Sequence, residues 1–313
     1  MQFIDAHCHL HFKRMEKVAA RVVEEARKCG VTHFVVNGTS TKDMADVLCM
    51  AQQRTDVTPC FGIHPFYIEA QTVEQDMERL FSFLKLQQKP YCIGEIGMDK
   101  TIADTAPIAL QEEVFRKQVE YASQHSIPFV VHCVRCVQRV YDVLKELSPF
   151  PTPFLMHGYS GPPDYVGKFT ALGAFFSVSG YLLNLSPRRR EGMNDAIRKI
   201  PVERLLFESD SPDMVWKKEA VMARRFEVWK ANLHSKMTRA NPSIHRLPSL
   251  PWVCANGLMT QICNEVAKVR GIPANELADQ VYLNSRAFFS LAFHVCSHRI
   301  WRLCMFGTKA EQS

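Results

Sequence analysis

Long apolar runs are missing from this sequence: no stretch is greasy enough for long enough to cross a bilayer as a helix, which excludes a helical membrane span. A secretory signal is also missing, because Asp5 and His7 interrupt the first apolar stretch and no basic segment precedes it, so export is not expected. No GxGxxG or GxxxxGK(S/T) follows any β-rich run, which removes the phosphate-cradling loops of dinucleotide-binding and P-loop proteins. No internal repeat and no low-complexity tract stands out, and 47% hydrophobic residues in 313 are enough for a sizeable core. The eleven cysteines are odd in number and irregular in spacing, so they form no disulfide framework. Cys133 and Cys136 alone have CxxC spacing, without the second pair that a closed tetrahedral zinc site needs. Reduced, mostly buried thiols are expected, in a reducing compartment such as cytoplasm or nucleus.

Charge is nearly balanced everywhere but in one place. The net charge is +6, and all of it falls between positions 214 and 250. There Lys217, Lys218, Arg224, Arg225, Lys230, Lys236, Arg239 and Arg246 meet only Glu219 and Glu227. A local basic excess suits an anionic partner, and it equally suits the solvated face of a helix. Trp216, Phe226 and Trp229 lie within it, as stacking faces or as the apolar side of that helix.

From residue 2 to residue 210 short β-rich runs alternate with longer amphipathic ones. The runs fall at 3–6, 33–36, 60–63, 92–96, 129–132, 154–157, 175–178 and 205–208, with helical patterns such as 16–29 and 112–124 between them. Strands alternating with helices indicate parallel βαβ units, and eight of them predict an α/β chain closed into a (β/α)8 TIM-type barrel. Past Pro212 the rhythm breaks into helical patterns at 215–235, 253–269 and 274–292, a C-terminal helical elaboration. One domain over 1–313 is expected, with 293–313 as a tail.

The ends of these strands carry metal-ligand residue types. Strand one runs into Asp5-Ala6-His7-Cys8-His9, and a period of two places Asp5, His7 and His9 on one face. Glu95 stands between two glycines at the end of the fourth strand, His132 ends the fifth, His157 the sixth, and Glu208 and Asp210 follow the eighth. A lone strand-end histidine is ordinarily a core or capping residue, and a lone Asp a helix cap. His7, His9, Glu95, His132, His157 and Asp210 together, all at carboxyl ends of strands, point to a metal centre on the face where barrels build active sites. Asp5 and Glu208 are candidates to hold imidazole N–H groups in place, with a buried structural acid as the alternative for Glu208.

The motifs IDAHCHL (4–10), GIHP (62–65), GEIGMD (94–99), VVHC (130–133), MHGYSG (156–161) and ESDSP (208–212), followed late by NSRAFF (284–289), resemble the TatD-type metal-dependent deoxyribonucleases within the amidohydrolase-like barrels. The resemblance implies a deoxyribonuclease using two divalent ions, working as a 3′-5′ exonuclease on single-stranded DNA or 3′ ends. By the same resemblance, His7, His9 and Asp210 hold one ion, His132 and His157 the other, and Glu95 bridges them. Asp210 and Glu95 are then the catalytic carboxylates, and His64 faces the substrate, unless it is only a loop histidine fixed by Pro65. Two divalent ions against Glu95 and Asp210 leave a positive centre, which suits a phosphodiester better than a neutral amide. Magnesium is the family's expected ion, whereas four imidazoles suit zinc or manganese better.

The chain departs from the family pattern around the substrate. Lys100 stands where an aromatic residue usually follows the Asp99 position, Val134 intervenes before Arg135, and Asp213 replaces an aromatic residue after ESDSP. The family's Asn-Glu-Pro signature is absent, and 214–250 is an atypical basic insertion. Two other readings remain: an amidohydrolase or lactonase on a small metabolite, and a noncatalytic nucleic-acid-binding barrel. Neither cleavage polarity nor oligomeric state, monomer included, follows from the residues.

Overall fold

The structure, a computed structural model, describes residues 1–87, 90–213 and 257–290. Eight parallel strands follow one another around the sheet in chain order: β1 (Phe3–Cys8), β2 (Val31–Asn37), β3 (Val57–Phe61), β4 (Cys92–Asp99), β5 (Phe129–Val134), β6 (Phe154–Met156), β7 (Ala174–Val178) and β8 (Leu205–Phe207). The ring closes through a parallel bridge between Cys8 and Ser211, with His9 N–H donating to the Ser211 carbonyl at 2.7 Å and Asp210 N–H to the His7 carbonyl at 2.9 Å. The expected (β/α)8 barrel is therefore the observed one.

Around it run helices α1 (Ala19–Lys28), α2 (Met44–Gln53), α3 (Val73–Lys85), α4 (Ile108–Gln124), α5 (Val137–Leu147), α6 (Pro163–Ala171), α7 (Tyr181–Asn184), α8 (Pro187–Lys199), α9 (Leu258–Arg270) and α10 (Ala274–Ser290). The longer flanking helices turn one apolar stripe to the sheet, as Val140, Val143 and Leu144 of α5 do at helical spacing. α4 begins four residues earlier than its periodicity suggests, with Pro107 preceding its first turn. α9 ends at Gly271, whose φ of +67° is the left-handed conformation that glycine adopts without steric cost. The basic stretch 214–250, its predicted helix 215–235 and the tail 293–313 lie outside the described residues. None of the described helices is long and apolar enough to cross a membrane.

Two apolar layers make the core. The outer one joins the strands to the helices through residues such as Phe34, Phe61, Phe129, Phe154 and Phe207. The inner one is a ring with a residue from every strand: Ile4 and Ala6, Val35, Cys60, Cys92, Val130, Leu155, Phe175 and Leu206, with Phe288 and Phe289 of α10 packed among them. Asn284 fixes that helix by donating to the Val202 and Leu205 carbonyls at 2.7 and 2.9 Å, at the start of β8. NSRAFF is thus the plug of the amino-terminal mouth and leaves the carboxyl mouth for chemistry.

Candidate metal centre

Directly above the inner apolar ring the interior turns polar. On β2, β5, β6, β7 and β8 the change takes one pleat: Val35 gives way to Asn37, Val130 to His132, Leu155 to His157, Phe175 to Ser177 and Leu206 to Glu208. Strand period alone accounts for these. β1 and β4 need more. Each carries an extra residue against its neighbour, between Asp5 and Cys8 in β1 and between Ile93 and Ile96 in β4. Without the first bulge Ala6 and His7 would face opposite sides, and without the second Glu95 would follow Ile93 into the helix layer. Bulges re-aim side chains in this way, and here both turn a potential donor inward.

The delivered atoms fall into two groups sharing one carboxylate. His7 Nε2 and His9 Nε2 are 3.2 Å apart. Glu95 Oε2 lies 3.2 and 3.3 Å from them, and Asp210 Oδ1 3.7 and 3.5 Å. The other Glu95 oxygen, Oε1, is 2.8 Å from His157 Nε2 and 2.9 Å from His132 Nδ1, which are 3.4 Å from each other. Ligands spaced around a tetrahedral ion at bonds of about 2.1 Å stand about 3.4 Å apart. The donor sets fit divalent cations, four protein atoms in the first group and three in the second, with Glu95 presenting one oxygen to each.

Charge states reflect this crowding. Burial alone would raise Glu95, yet the surrounding imidazoles of His157, His64 and His7 hold it well below the usual carboxylate range. Burial works against a charge on His9, and the Asp210 and Glu95 carboxylates overcome it, pushing the ring up to about 10. His157 is likewise driven well above its ordinary value, against burial, by Glu95 and Glu208.

Behind these donor side chains stand groups that orient them. His9 Nδ1 meets the Asn37 carbonyl at 2.8 Å. Glu208 faces His157 Nδ1 at 3.3 Å and accepts from Ser177 Oγ at 2.5 Å, so its expected role at an imidazole is the one its position supports. Asp5 differs from expectation. The β1 bulge breaks the alternation that would place it with His7, and its carboxylate instead accepts from Ser209 N–H at 2.8 Å and Ser209 Oγ at 2.6 Å. It lies beside Cys29, Val31 and Leu258 on the helix side of the sheet, where burial pushes it up to about 7 against the Ser209 bonds. No imidazole N–H reaches its side chain; His7 Nδ1 is buried with no hydrogen-bond partner among the described residues. Asp5 acts on the centre through the chain, pinning the segment that presents Asp210, whose backbone φ is +49°.

Asp99 is the residue that sequence reasoning missed: its Oδ2 stands 3.0 Å from His132 Nε2, so His132 turns Nδ1 to the cluster. Its place at the end of β4, one pleat past Gly97, was the available signal. Gly97 has a φ of +145°, and a Cβ there would sit 1.9 Å from the His132 carbonyl oxygen, so only glycine lets β4 approach β5 at this point. His64 lies with the second group, its Nε2 3.4 Å from Glu95 Oε1. Its Nδ1 accepts from Phe66 N–H at 3.1 Å. Burial lowers it to about 4, so the ring is neutral and carries its proton on Nε2. Cys133 and Cys136 take no part: Cys133 packs in the outer layer, and buried Cys136 precedes the first turn of α5.

A family-wide sequence profile described as TatD related DNase matches residues 4–290. The chain belongs to this family. As a TatD-family protein it is a metal-dependent hydrolase, in keeping with the donor groups just described. Among its relatives is the 3′-5′ ssDNA/RNA exonuclease TatD of Erwinia tasmaniensis, 27% identical over 276 residues, 87% of this chain and 93% of that protein. Another is the metal-dependent hydrolase YjjV of Escherichia coli, 28% identical over 214 residues, 68% of this chain and 80% of that protein. The crystal structure of the latter superposes with a TM-score of 0.73 over 92% of this chain and 98% of that one, at 23% identity.

Proposed function

We propose that this TatD-family chain is a two-metal deoxyribonuclease that removes nucleotides from the 3′ end of single-stranded DNA. The carrying observation is the shared carboxylate: Glu95 offers Oε2 to His7 and His9 and Oε1 to His132 and His157. Two divalent ions held there supply an activated water at neutral pH and charge to offset the phosphoryl oxygens. Zinc or manganese suits the imidazole-rich set better than magnesium.

The chain's own residues then have distinct tasks. Asp210 is fully ionised at neutral pH, because His9 and His7 outweigh the burial that would raise it, and its Oδ1 faces both rings. It orients the attacking water and accepts its proton. His64, neutral with its proton on Nε2, donates to a phosphoryl oxygen, a task open only to that tautomer. Glu208 and Asp99 keep His157 and His132 in the orientation that points their free nitrogens at the cluster. An anionic substrate is further supported by the rim cations Lys13, Lys100 and Arg135, exposed and without ion-pair partners among the described residues.

The test is hydrolysis of end-labelled single- and double-stranded oligonucleotides, DNA and RNA, with zinc, manganese, magnesium or chelator. A ladder shortening from the 3′ end, abolished by chelator and by His157→Ala, is expected. A chain that leaves every oligonucleotide intact while opening lactones or amides would replace this reading with the small-metabolite one.

A further inference from the structure

Among the described residues few large apolar side chains are exposed, and two are neighbours: Phe66 at 57% and Tyr67 at 42%. The others, Met1, Leu86 and Leu283, are scattered over the surface, and single exposed residues of that kind need no explanation. Phe66 and Tyr67 stand on the loop after β3, at the carboxyl mouth. The Phe66 ring centroid is 4.9 Å from the His64 ring, edge-on, and 6.3 Å from the ring of His132. An aromatic face left in water beside a buried anionic cluster is an unusual placement for a residue with only packing to do.

The ring is also held. Pro65 starts a single 3-10 turn, Pro65–Tyr67, in which Tyr67 N–H bonds the His64 carbonyl at 2.9 Å and Ile68 N–H the Pro65 carbonyl at 3.2 Å. His64 accepts the Phe66 N–H, and buried Ile68 anchors the far end. The same histidine that addresses a phosphoryl oxygen thus fixes the backbone of the exposed ring. At the neighbouring strand end the position expected to be aromatic is Lys100, a cation with no π-face.

We propose that Phe66 is the stacking platform for the terminal nucleobase, so that the substrate is recognised as a nucleotide and not only as a phosphodiester. This rests on the nuclease reading above. One sugar separates a phosphate from its base, and Phe66 lies about that far from the cluster, on the side of His64 and His132. Stacking is tolerant of base identity, because every base offers a π-face. The platform therefore selects for the presence of a terminal base without selecting its sequence.

The test compares metal-loaded protein on two oligothymidylates, one ending in an ordinary 3′ thymidine and one in an abasic tetrahydrofuran residue. Terminal 2-aminopurine fluorescence on binding gives a second readout. The wild type is expected to prefer the base-ended strand roughly tenfold in kcat/KM, a typical effect of one base–aromatic stack, and to quench the probe. Phe66→Leu keeps apolar bulk and lacks the π-face; its preference should fall towards one and its quenching should vanish. Phe66→Trp should keep both. Equal preference in the Phe, Leu and Trp proteins would overturn the proposal, as would a rate loss in Phe66→Leu that is the same on both strands. A wild type that cleaves neither strand would overturn the nuclease reading instead.

Discussion

The two levels of the barrel interior are one pleat apart and opposite in character. The lower ring of Val35, Cys60, Cys92, Val130, Leu155, Phe175 and Leu206, closed beneath by Phe288 and Phe289, is dry. The upper level carries His7, Glu95, His132, His157, Glu208 and Asp210, every one with a charged or titratable neighbour. Both levels are buried apart from the partly exposed His132 and His157, so burial alone does not separate them. The lower level stabilises the fold by removing apolar area from water. The upper level gathers like-charged carboxylates and lone pairs that repel until protons or cations intervene, which weighs against folding. A dry floor two residues below is what gives the polar layer a rigid base.

Removing the carboxylate shared by the two donor groups should have the largest effect. Glu95→Gln is expected to lower hydrolysis about a thousandfold or more, the scale on which preorganised charge at a reacting centre counts. Metal analysis should show fewer ions bound; unchanged occupancy would rule Glu95 out as the shared ligand. Attacking the floor should do the reverse. Phe288→Ala leaves a hole in the plug and should cost about 3–5 kcal/mol in urea unfolding, while the surviving folded protein keeps its metal content. Loss of metal at full stability would mean that the two levels are not separable.

Smaller changes sharpen the contrast. Glu208→Gln and Asp99→Asn keep the shape and remove a charge behind His157 and His132; each should weaken metal affinity about 10- to 100-fold, read by competition with a chelating dye. Acidity should act on the upper level alone. His9 sits at about 10 in place of its ordinary 6.5, so its proton stabilises the metal-free fold fully below 6.5 and is lost as pH rises through about 10. Cations must displace that proton and those on His157 and on His132, which Asp99 and Glu95 likewise raise against burial, so metal affinity should climb with pH across this window. The gain in Tm on adding metal should therefore be larger at pH 9 than at pH 6, and equal gains would contradict the charge states assigned to the cluster. The smallest effect is expected at the CxxC pair: Cys133→Ser with Cys136→Ser should change neither metal content nor rate.

How the levels were readable in the chain depended on regularity. His132, His157 and Glu208 follow an inward apolar residue at a spacing of two, so alternation alone locates them on the inner face. His7 and Glu95 do not, because a bulge shifts the parity of β1 and β4, and a bulge of one residue leaves no mark in hydrophobic pattern. Residue type nominated these two where periodicity could not. The same shift explains why Asp5, placed with His7 by simple alternation, lies on the opposite side and holds Ser209. Asp99 escaped notice because its partner nitrogen is on another strand, a relation that only the Gly97–His132 register creates. The amino-terminal plug was visible as a helical pattern, but nothing in 274–292 announced that its end enters the barrel.

The strands are joined in sequence order all round, and the last joint is made at Cys8 and Ser211, where Asp5 clasps Ser209 from 204 residues away. His9 and Asp210 flank that joint. An ion shared by them would be a cross-link between the two ends of the barrel, closing about two thirds of the chain into a loop, and long loops are those whose closure removes the most freedom from the unfolded state. The same arrangement makes the ligand set an all-or-none property of the chain: while the eighth strand is still unplaced, His7 and His9 have no Asp210 to meet. A half-built barrel is thus chemically silent, and the hydrolase is armed by the event that completes its fold.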